Sequence, residues 1–247
     1  MDNLGRYYTQ ELFSKLLISQ FRQESPSSII DIGVGGGSLI KAASDRWKYA
    51  NFYAADIDKT MIPRTRSELP FINIYYANSL SKDIEKIIGL KIGTVDIAVC
   101  NPPFLSLKNN KKYHQLLEDA NLKECISLKR LTSDIVFLAQ NLRLLKDKGE
   151  LGIILPDSLI TSHDFEIFRQ SLLINHSIRN IIELPEKIFP KTEARTHILI
   201  LEKGSSTIKN VRLYISDKKG GEGCVRDVIE QVLRLHNNWM DSDAFSW

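Results

Sequence analysis

Residues 28–38 read Ser-Ile-Ile-Asp-Ile-Gly-Val-Gly-Gly-Gly-Ser, and this stretch decides the fold. The apolar run at its start is typical of a buried strand, and a helical pattern follows the glycines. Glycine permits positive φ angles and lets the backbone approach a ligand closely. We therefore predict a strand, a tight glycine turn and a helix in direct succession, a unit that either holds a ligand or is simply a tight turn.

Strand and helix patterns alternate along the rest of the chain. Strands are predicted at residues 28–32, 51–55, 71–76, 94–100, 151–155, 178–184 and 197–201. Helices are predicted at residues 11–21, 38–46, 133–145 and 163–173, and loops at residues 105–113 and 217–223. This alternation predicts an α/β fold with a Rossmann-like, doubly wound and mostly parallel sheet, in which ligands bind at the carboxyl ends of the strands.

Composition and charge exclude several classes of protein. The 247 residues are 43% hydrophobic and 26% charged, as in globular proteins, and no stretch reaches the ~18 apolar residues of a membrane span. The amino terminus lacks the pattern of a secretory signal, and three cysteines without metal-ligand spacing argue against a disulfide framework or a metal site. We expect a cytoplasmic protein. A net charge of +3 does not by itself indicate a nucleic-acid binder, so any such surface must be local or supplied by a partner.

An acidic residue ends the second predicted strand. Asp56 stands where a carboxylate suits the two hydroxyls of a ribose, and Ile57 follows it. Together with the glycine loop, this acid predicts a site for a nucleoside cofactor, either a dinucleotide or S-adenosylmethionine. The candidate binding residues of the loop are Asp31, Gly33, Gly35 and Gly37.

The segment Asn101-Pro102-Pro103-Phe104 follows the fourth predicted strand and is the most informative part of the chain. Its two prolines fix their φ angles and supply no N–H groups, so the segment is stiff and presents carbonyl oxygens. The Asn101 side chain adds another acceptor, and Phe104 adds a flat face on which a planar ring stacks. Two acceptors held together grip both hydrogens of an exocyclic amine and localise the nitrogen lone pair for attack on a sulfonium methyl group. The alternative is a rigid turn capped by asparagine.

These motifs, in this order, resemble the N6-adenine DNA methyltransferases of the gamma order, which have the class I S-adenosylmethionine-dependent methyltransferase fold. The resemblance implies that Asp31 and the loop glycines hold S-adenosylmethionine, that Asp56 binds its ribose and that Ile57 flanks its adenine. The third cofactor motif departs from the family, because Asn78 and Ser79 stand where an aspartate usually accepts from the adenine amine. Asn78 is left to use its amide oxygen.

The resemblance also covers the amino-terminal motif of the family. Tyr7, Tyr8 and Thr9 match that motif, which implies that they lie against S-adenosylmethionine. Gln10 follows them where the family usually has proline. Related enzymes that methylate RNA or a protein glutamine typically lack this motif, so its presence favours DNA as the substrate.

Downstream, residues 134–157 and 181–203 are similar to the modification subunits of type I restriction systems. In this family an aromatic residue at the position of Phe189 forms the second wall of the target-base pocket, opposite Phe104. The loop after the catalytic segment carries further candidates for contact with the DNA backbone, although a charged loop is often only solvated. They are Lys108, Lys111 and Lys112.

The resemblance implies a domain division as well. We assign residues 1–205 to a methyltransferase catalytic domain and residues 206–247 to a small carboxyl-terminal appendage, with one possible amphipathic helix at residues 227–235. Gamma enzymes that act alone carry a large target-recognition domain, for which this appendage is too short. We therefore expect a separate specificity subunit, or a chain that is the catalytic piece of a larger protein.

The sequence thus predicts an enzyme that methylates the N6 amine of a flipped adenine in DNA, using S-adenosylmethionine, within a restriction-modification or defence system. Alternatives within the same chemistry are methylation of RNA, of a protein glutamine amide or of cytosine N4. A non-catalytic cofactor-binding subunit and a nicotinamide-dependent oxidoreductase are alternatives of other classes.

Overall fold

The computed structural model describes residues 11–108, 110–185 and 195–205, and the backbone alone of residues 212–214. The strands are β1 (Ser28–Ile32), β2 (Asn51–Asp56), β3 (Ile72–Tyr76), β4 (Val95–Cys100), β5 (Ser106–Leu107), β6 (Leu131–Thr132), β7 (Leu145–Pro156), β8 (His176–Leu184), β9 (Thr196–Lys203) and β10 (Arg212–Tyr214). The helices are α1 (Glu11–Ser19), α2 (Ser38–Arg46), α3 (Met61–Glu68), α4 (Ile84–Ile88), α5 (Lys111–Asp119), α6 (Ser133–Leu144), α7 (Asp157–Thr161) and α8 (Glu166–Asn175). Short 3₁₀ helices lie at Lys123–Ser127 and His163–Phe165.

The described part of the chain forms one large twisted sheet with the strand order β10-β8-β9-β7-β4-β1-β2-β3. β1 pairs in parallel with both β2 and β4, and β9 runs antiparallel to its neighbours β7 and β8. The predicted α/β fold with a mostly parallel, doubly wound sheet is therefore confirmed. β10 pairs with β8, so the sheet continues beyond residue 205.

The chain reverses its direction across the sheet between β1 and β4. It runs outward through β1, β2 and β3, then returns to place β4 on the other side of β1. Such a switch point leaves a crevice at the carboxyl ends of the two central strands, where doubly wound folds bind their ligands. Gly33 follows β1 and Asn101 follows β4, so both predicted motifs begin at this crevice.

Helices cover both faces of the sheet with separate apolar clusters. Alternating residues of β1 divide between them, with Ile29 on the face packed by α1 and α2, and Ile30 on the face packed by α5, α6 and α8. This is the period-2 alternation expected of a strand covered on both sides. Within the described ranges, no helix is long and apolar enough to cross a membrane.

The predicted loop at residues 105–113 is wrong in part. Ser106 and Leu107 form β5, which pairs antiparallel with β6, and α5 begins at Lys111. The helix begins there because the Asn110 side chain caps it, accepting from the backbone N–H of Lys112 at 3.0 Å. The predicted loop at residues 217–223 and the helix at residues 227–235 lie outside the described residues.

Candidate active site

A pocket with a volume of about 230 Å³ opens at the switch point. Its walls come from the glycine loop, the carboxyl ends of β2 and β3, the segment after β4 and the amino-terminal half of α6. The lining residues are Asp31, Gly33, Val34, Gly35, Gly36, Ser38, Leu39, Asp56, Ile57, Asn78, Ser79, Leu80, Asn101, Pro103, Leu105, Leu107, Ser133 and Phe137. The structure therefore brings predicted cofactor residues of three separate segments together with the start of the Asn-Pro-Pro-Phe segment, whereas the predicted Gly37 does not line the pocket.

The glycine loop needs glycine for two physical reasons. Gly33 has a φ of +104°, a conformation that costs energy for any residue with a side chain. A Cβ atom at Gly33 would also stand 3.2 Å from Cε1 of Phe137. The Gly33 N–H donates to the Ala55 carbonyl at 2.7 Å, which ties the loop to the end of β2.

Asp56 holds this loop in shape. Its carboxylate is buried and accepts from the backbone N–H of Gly35 and from that of Asp58, each at 2.8 Å. A carboxylate offers about four lone pairs, so two acceptor positions remain for a ligand in the pocket.

Asp31 is a buried acid with an unsatisfied oxygen. It is 1% exposed, and no described residue donates a hydrogen bond to its Oδ1. Burial, with a contribution from the nearby charge of Asp56, raises the pKa of the Asp31 carboxyl well above its usual range. Buried polar atoms nearly always find a partner, so this oxygen fits a donor supplied by a ligand in the pocket.

The turn after β3 is held by a residue that the sequence analysis missed. The Gln140 side chain donates to the carbonyls of Ser79 and Ser81, at 2.9 and 2.6 Å. Within the turn, Asn78 Oδ1 accepts from the Leu80 N–H at 3.0 Å. The amide oxygen that Asn78 was predicted to offer to an adenine amine therefore already accepts one hydrogen bond.

The Asn-Pro-Pro-Phe segment lies at the rim of the crevice. Asn101 and Pro103 line the pocket, whereas Pro102 is buried beside it. Phe104 is half-buried and packs against the apolar cluster on the α1 and α2 face. The Ser133 hydroxyl donates to the Pro103 carbonyl of this segment. The sequence analysis did not identify Ser133 as a site residue. The one sequence signal for it was its position as the first residue of a predicted helix.

The remaining predicted site residues divide into two groups. Lys108, Lys111 and Lys112 are exposed, with the last two on the first turn of α5. Outside the described residues lie Tyr7, Tyr8, Thr9 and Phe189. In the part of the chain that the structure describes, no group of three or more histidine, cysteine or acidic residues is placed to hold a metal ion.

Comparison with known proteins agrees with the sequence resemblance. The type II methyltransferase M.BsuBI of Bacillus subtilis is 26% identical over 87% of this chain and 46% of its own length. The methylase subunit of the type I restriction enzyme MpnII of Mycoplasma pneumoniae is 24% identical over 98% of this chain and 49% of its own length. The chain therefore spans about half the length of these relatives.

Solved structures agree on the fold. The methyltransferase subunit of a type I restriction-modification system from Streptococcus thermophilus superposes with a TM-score of 0.73 at 19% identity, covering 97% of this chain and 55% of that one. The fold is that of the class I S-adenosylmethionine-dependent methyltransferases. The model of the family described as N-6 DNA Methylase matches residues 1–247, and the chain belongs to this family.

Proposed function

We propose that this chain transfers a methyl group from S-adenosylmethionine to the N6 amine of an adenine in DNA, as the catalytic part of a restriction-modification or defence system. The observation that carries the proposal is the pocket at the switch point. There the glycine loop, Asp56 and Asn101 line one cavity, in a member of a DNA methylase family.

The residues of the pocket fit S-adenosylmethionine. Its amino group and ribose hydroxyls are donors, and the pocket offers the carboxylates of Asp31 and Asp56 as acceptors. The unsatisfied Oδ1 of Asp31 is buried in this wall. Gly33 and Gly35 leave room for close approach, and Ile57 and Leu80 offer apolar surface for an adenine ring. We also assign Tyr7, Tyr8 and Thr9 to this cofactor.

When bound, S-adenosylmethionine supplies a methyl group attached to a positively charged sulfur. The Asn101 side chain and a proline carbonyl would accept the two hydrogens of the target amine and localise its lone pair toward that methyl group. The Pro103 carbonyl already accepts from the Ser133 hydroxyl. Among the described residues none donates to the Pro102 carbonyl, so we assign Pro102 as the second acceptor.

The target adenine must leave the DNA stack to reach this crevice, because its amine is paired inside the duplex. We propose that Phe104 and Phe189 form the two walls that hold the flipped base by stacking. Phe104 is half-buried and directly follows Pro103, which lines the pocket, and this position supports the assignment.

A group of exposed cations flanks the pocket, and we name it the basic surface. Its members are Lys108, Lys111, Lys112, Lys129 and Arg130. Lys108 and Arg130 are the chain neighbours of the paired Leu107 and Leu131 of β5 and β6, and the Arg130 Nε–H donates to the Ser106 Oγ at 3.0 Å. None of the five forms an ion pair with a described residue. Exposed cations of this kind are the side chains that neutralise DNA phosphates.

Leu107 of β5 and Leu105, two residues before it, line the pocket. The basic surface therefore lies beside the proposed target site, where the backbone of a bound DNA would pass. We propose that these cations contact DNA phosphates, and this contact would position the strand without reading its sequence.

Sequence recognition requires a further element. We propose that a separate specificity subunit or another part of a longer protein supplies it, since relatives that this chain matches over about half of their length include a methylase subunit of a type I restriction enzyme. A reducing, cytoplasmic setting is part of the proposal, because the described cysteines, Cys100 and Cys125, are buried free thiols.

The first test separates the proposed cofactor from its alternative. Calorimetric titration should show that the chain binds S-adenosylmethionine and does not bind NADH. Binding of NADH alone would contradict the methyltransferase proposal and would favour an oxidoreductase. Transfer of a labelled methyl group should then be compared among duplex DNA, RNA and protein acceptors. Label in DNA alone is the expected result, and label only in RNA or protein would contradict the proposed substrate.

A further inference from the structure

Ser133 joins helix α6 through three hydrogen bonds to the Asn-Pro-Pro-Phe segment and to Leu105, which directly follows it. Its Oγ accepts from the Leu105 N–H at 2.9 Å, and its own N–H donates to the Leu105 carbonyl at 2.8 Å. Its hydroxyl donates to the Pro103 carbonyl. Ser133 is 1% exposed, so water does not compete for these bonds.

The segment needs such support because of its own composition. Pro102 and Pro103 have no N–H groups, so neither can anchor the chain by donating to a neighbouring strand. Ser133 supplies what the prolines lack, namely a donor to the Pro103 carbonyl and a two-way backbone and side-chain pairing with Leu105. Because Ser133 begins α6, its N–H is one of the helix's unpaired first-turn donors and is available for this contact.

The same face of α6 also contacts the glycine loop and the turn after β3, which form the proposed cofactor-binding part of the pocket. Ser133, Phe137 and Gln140 are spaced four and three residues apart, which places them on one face of the helix. Phe137 packs against Gly33 of the glycine loop, and Gln140 donates to the carbonyls of Ser79 and Ser81. One helix thus contacts three of the segments that line the pocket, namely the glycine loop, the turn after β3 and the segment after β4.

We propose that Ser133 is a positioning residue for methyl transfer. Its hydroxyl fixes the Pro103–Leu105 backbone, and thereby the direction in which the Asn101 side chain and the Pro102 carbonyl meet the target amine. This inference rests on the proposed methyltransferase function. The inference gives two residues of α6 different roles. Ser133 orients the groups that accept hydrogen bonds from the target amine, and Gln140 holds the turn after β3 that lies against the cofactor.

The effect on catalysis should be large, because displacement of reacting groups by about 1 Å costs on the order of 100-fold in rate. Ser133→Ala removes both hydroxyl bonds and keeps the backbone pairing with Leu105. We expect kcat to fall between 10-fold and 100-fold, with the KM for S-adenosylmethionine changed less than twofold. Ser133→Thr retains a hydroxyl and should recover most of the lost kcat.

Gln140→Met is the matched variant on the same helix face. It removes the two bonds to the Ser79 and Ser81 carbonyls at similar side-chain length, so it should raise the KM for S-adenosylmethionine several-fold with a smaller change in kcat. A merely structural role of Ser133 would move both parameters together in both variants. That result, or an unchanged kcat in Ser133→Ala, would overturn the inference.

A second measurement keeps the inference testable apart from the reaction. Amide hydrogen exchange at Leu105 in the wild-type chain reports the bond to Ser133 Oγ without any substrate. We expect exchange at Leu105 to be at least tenfold faster in Ser133→Ala and close to the wild-type rate in Gln140→Met. Unchanged exchange would overturn the inference, whereas a wild-type chain that does not bind S-adenosylmethionine would instead contradict the proposed function.

Discussion

The carboxylate of Asp56 accepts a hydrogen bond of 2.8 Å from the backbone N–H of Gly35. This bond joins the end of β2 to the loop that follows β1, so the acid shapes the pocket as well as lining it. Its other oxygen accepts from the Asp58 N–H. The carboxylate is therefore oriented before any cofactor arrives, which reduces the cost of ordering it on binding.

Removal of this carboxylate should weaken cofactor binding. We expect Asp56→Ala to raise the Kd for S-adenosylmethionine by roughly 5-fold to 150-fold, about 1–3 kcal/mol, because charge-assisted hydrogen bonds are lost. Calorimetric titration measures the change. Asp58→Ala is the control, since the Asp58 side chain bonds Thr60 and lies outside the pocket lining. Equal Kd values for Asp56→Ala and the wild type would contradict the assignment.

The glycine loop should not tolerate a side chain at Gly33. We expect Gly33→Ala to lower both the free energy of unfolding, by about 1–3 kcal/mol, and the affinity for S-adenosylmethionine, because the φ of +104° and the ring of Phe137 both oppose a Cβ atom. Gly89→Ala is the matched control. Gly89 has a φ of +70° but has no atom within 4 Å of its Cβ position, so it reports the backbone cost alone.

Urea unfolding and calorimetry of both glycine variants provide the measurements. Gly89→Ala should lose stability without a change in cofactor affinity. Equal affinities of Gly33→Ala and Gly89→Ala for S-adenosylmethionine would contradict the proposal that the glycine loop approaches the cofactor closely.

The central strands and the loops after them could be predicted from the sequence. The apolar runs that precede Gly33 and Asn101 are too uniform for half-exposed strands, and parallel strands place their carboxyl ends together. The pairing of β1 with both β2 and β4 explains why Asp31, Asp56 and Asn101 meet although they are distant in sequence. The position of the switch point is a property of the strand order, which the structure supplies.

The contacts of α6 could not be predicted in the same way. Ser133, Phe137 and Gln140 lie in a helix that the sequence predicts, but every residue of α6 is buried, so burial does not single out a functional face. Their roles depend on which loops the helix crosses, and this is a property of the three-dimensional packing. Likewise, the single capping asparagine Asn110 turns a lysine-rich segment, predicted as loop, into the start of α5.

Asp134, next to Ser133, should make stability depend on pH. Burial raises the pKa of its carboxyl from 3.8 to about 6, although hydrogen bonds from Thr132 and the Ile135 N–H act in the opposite direction. Between these two values the folded protein binds more protons than the unfolded chain, so the free energy of unfolding falls as the pH rises. The decrease in the free energy of unfolding is complete once the pH exceeds the folded-state pKa of about 6.

Asp134→Asn removes this titration. Relative to the wild type, we expect the variant to gain about 2–3 kcal/mol of unfolding free energy between pH 4 and pH 7, a shift of about two pKa units. Urea unfolding of both proteins at several pH values measures this difference. The raised pKa of Asp31 changes the free energy of unfolding equally in the two proteins, so it cancels in the comparison. Parallel stability curves for the two proteins would show that Asp134 does not titrate in this range.

The basic surface should control the salt dependence of DNA binding. If Lys108 and Arg130 each contact a phosphate, the slope of log K against log salt should shrink by about 0.9 for each residue replaced by alanine. Fluorescence anisotropy with a mixed-sequence duplex at several salt concentrations gives the slope. Lys91→Ala removes an exposed cation that precedes β4, on the side of the sheet where the parallel strands begin, and should leave the slope unchanged. An unaltered slope in the Lys108→Ala/Arg130→Ala protein would place the DNA elsewhere.

The central claim is that Asn101, at the carboxyl end of β4, directs a methyl group to adenine N6. The most direct test is nucleoside mass spectrometry of mixed-sequence duplex DNA after incubation with the chain and S-adenosylmethionine, beside an Asn101→Ala variant whose cofactor affinity is checked by calorimetry. We predict N6-methyladenine from the wild type and none from Asn101→Ala, with closely similar cofactor Kd values. Methylation at another atom, or equal yields of N6-methyladenine from both proteins, would contradict the account.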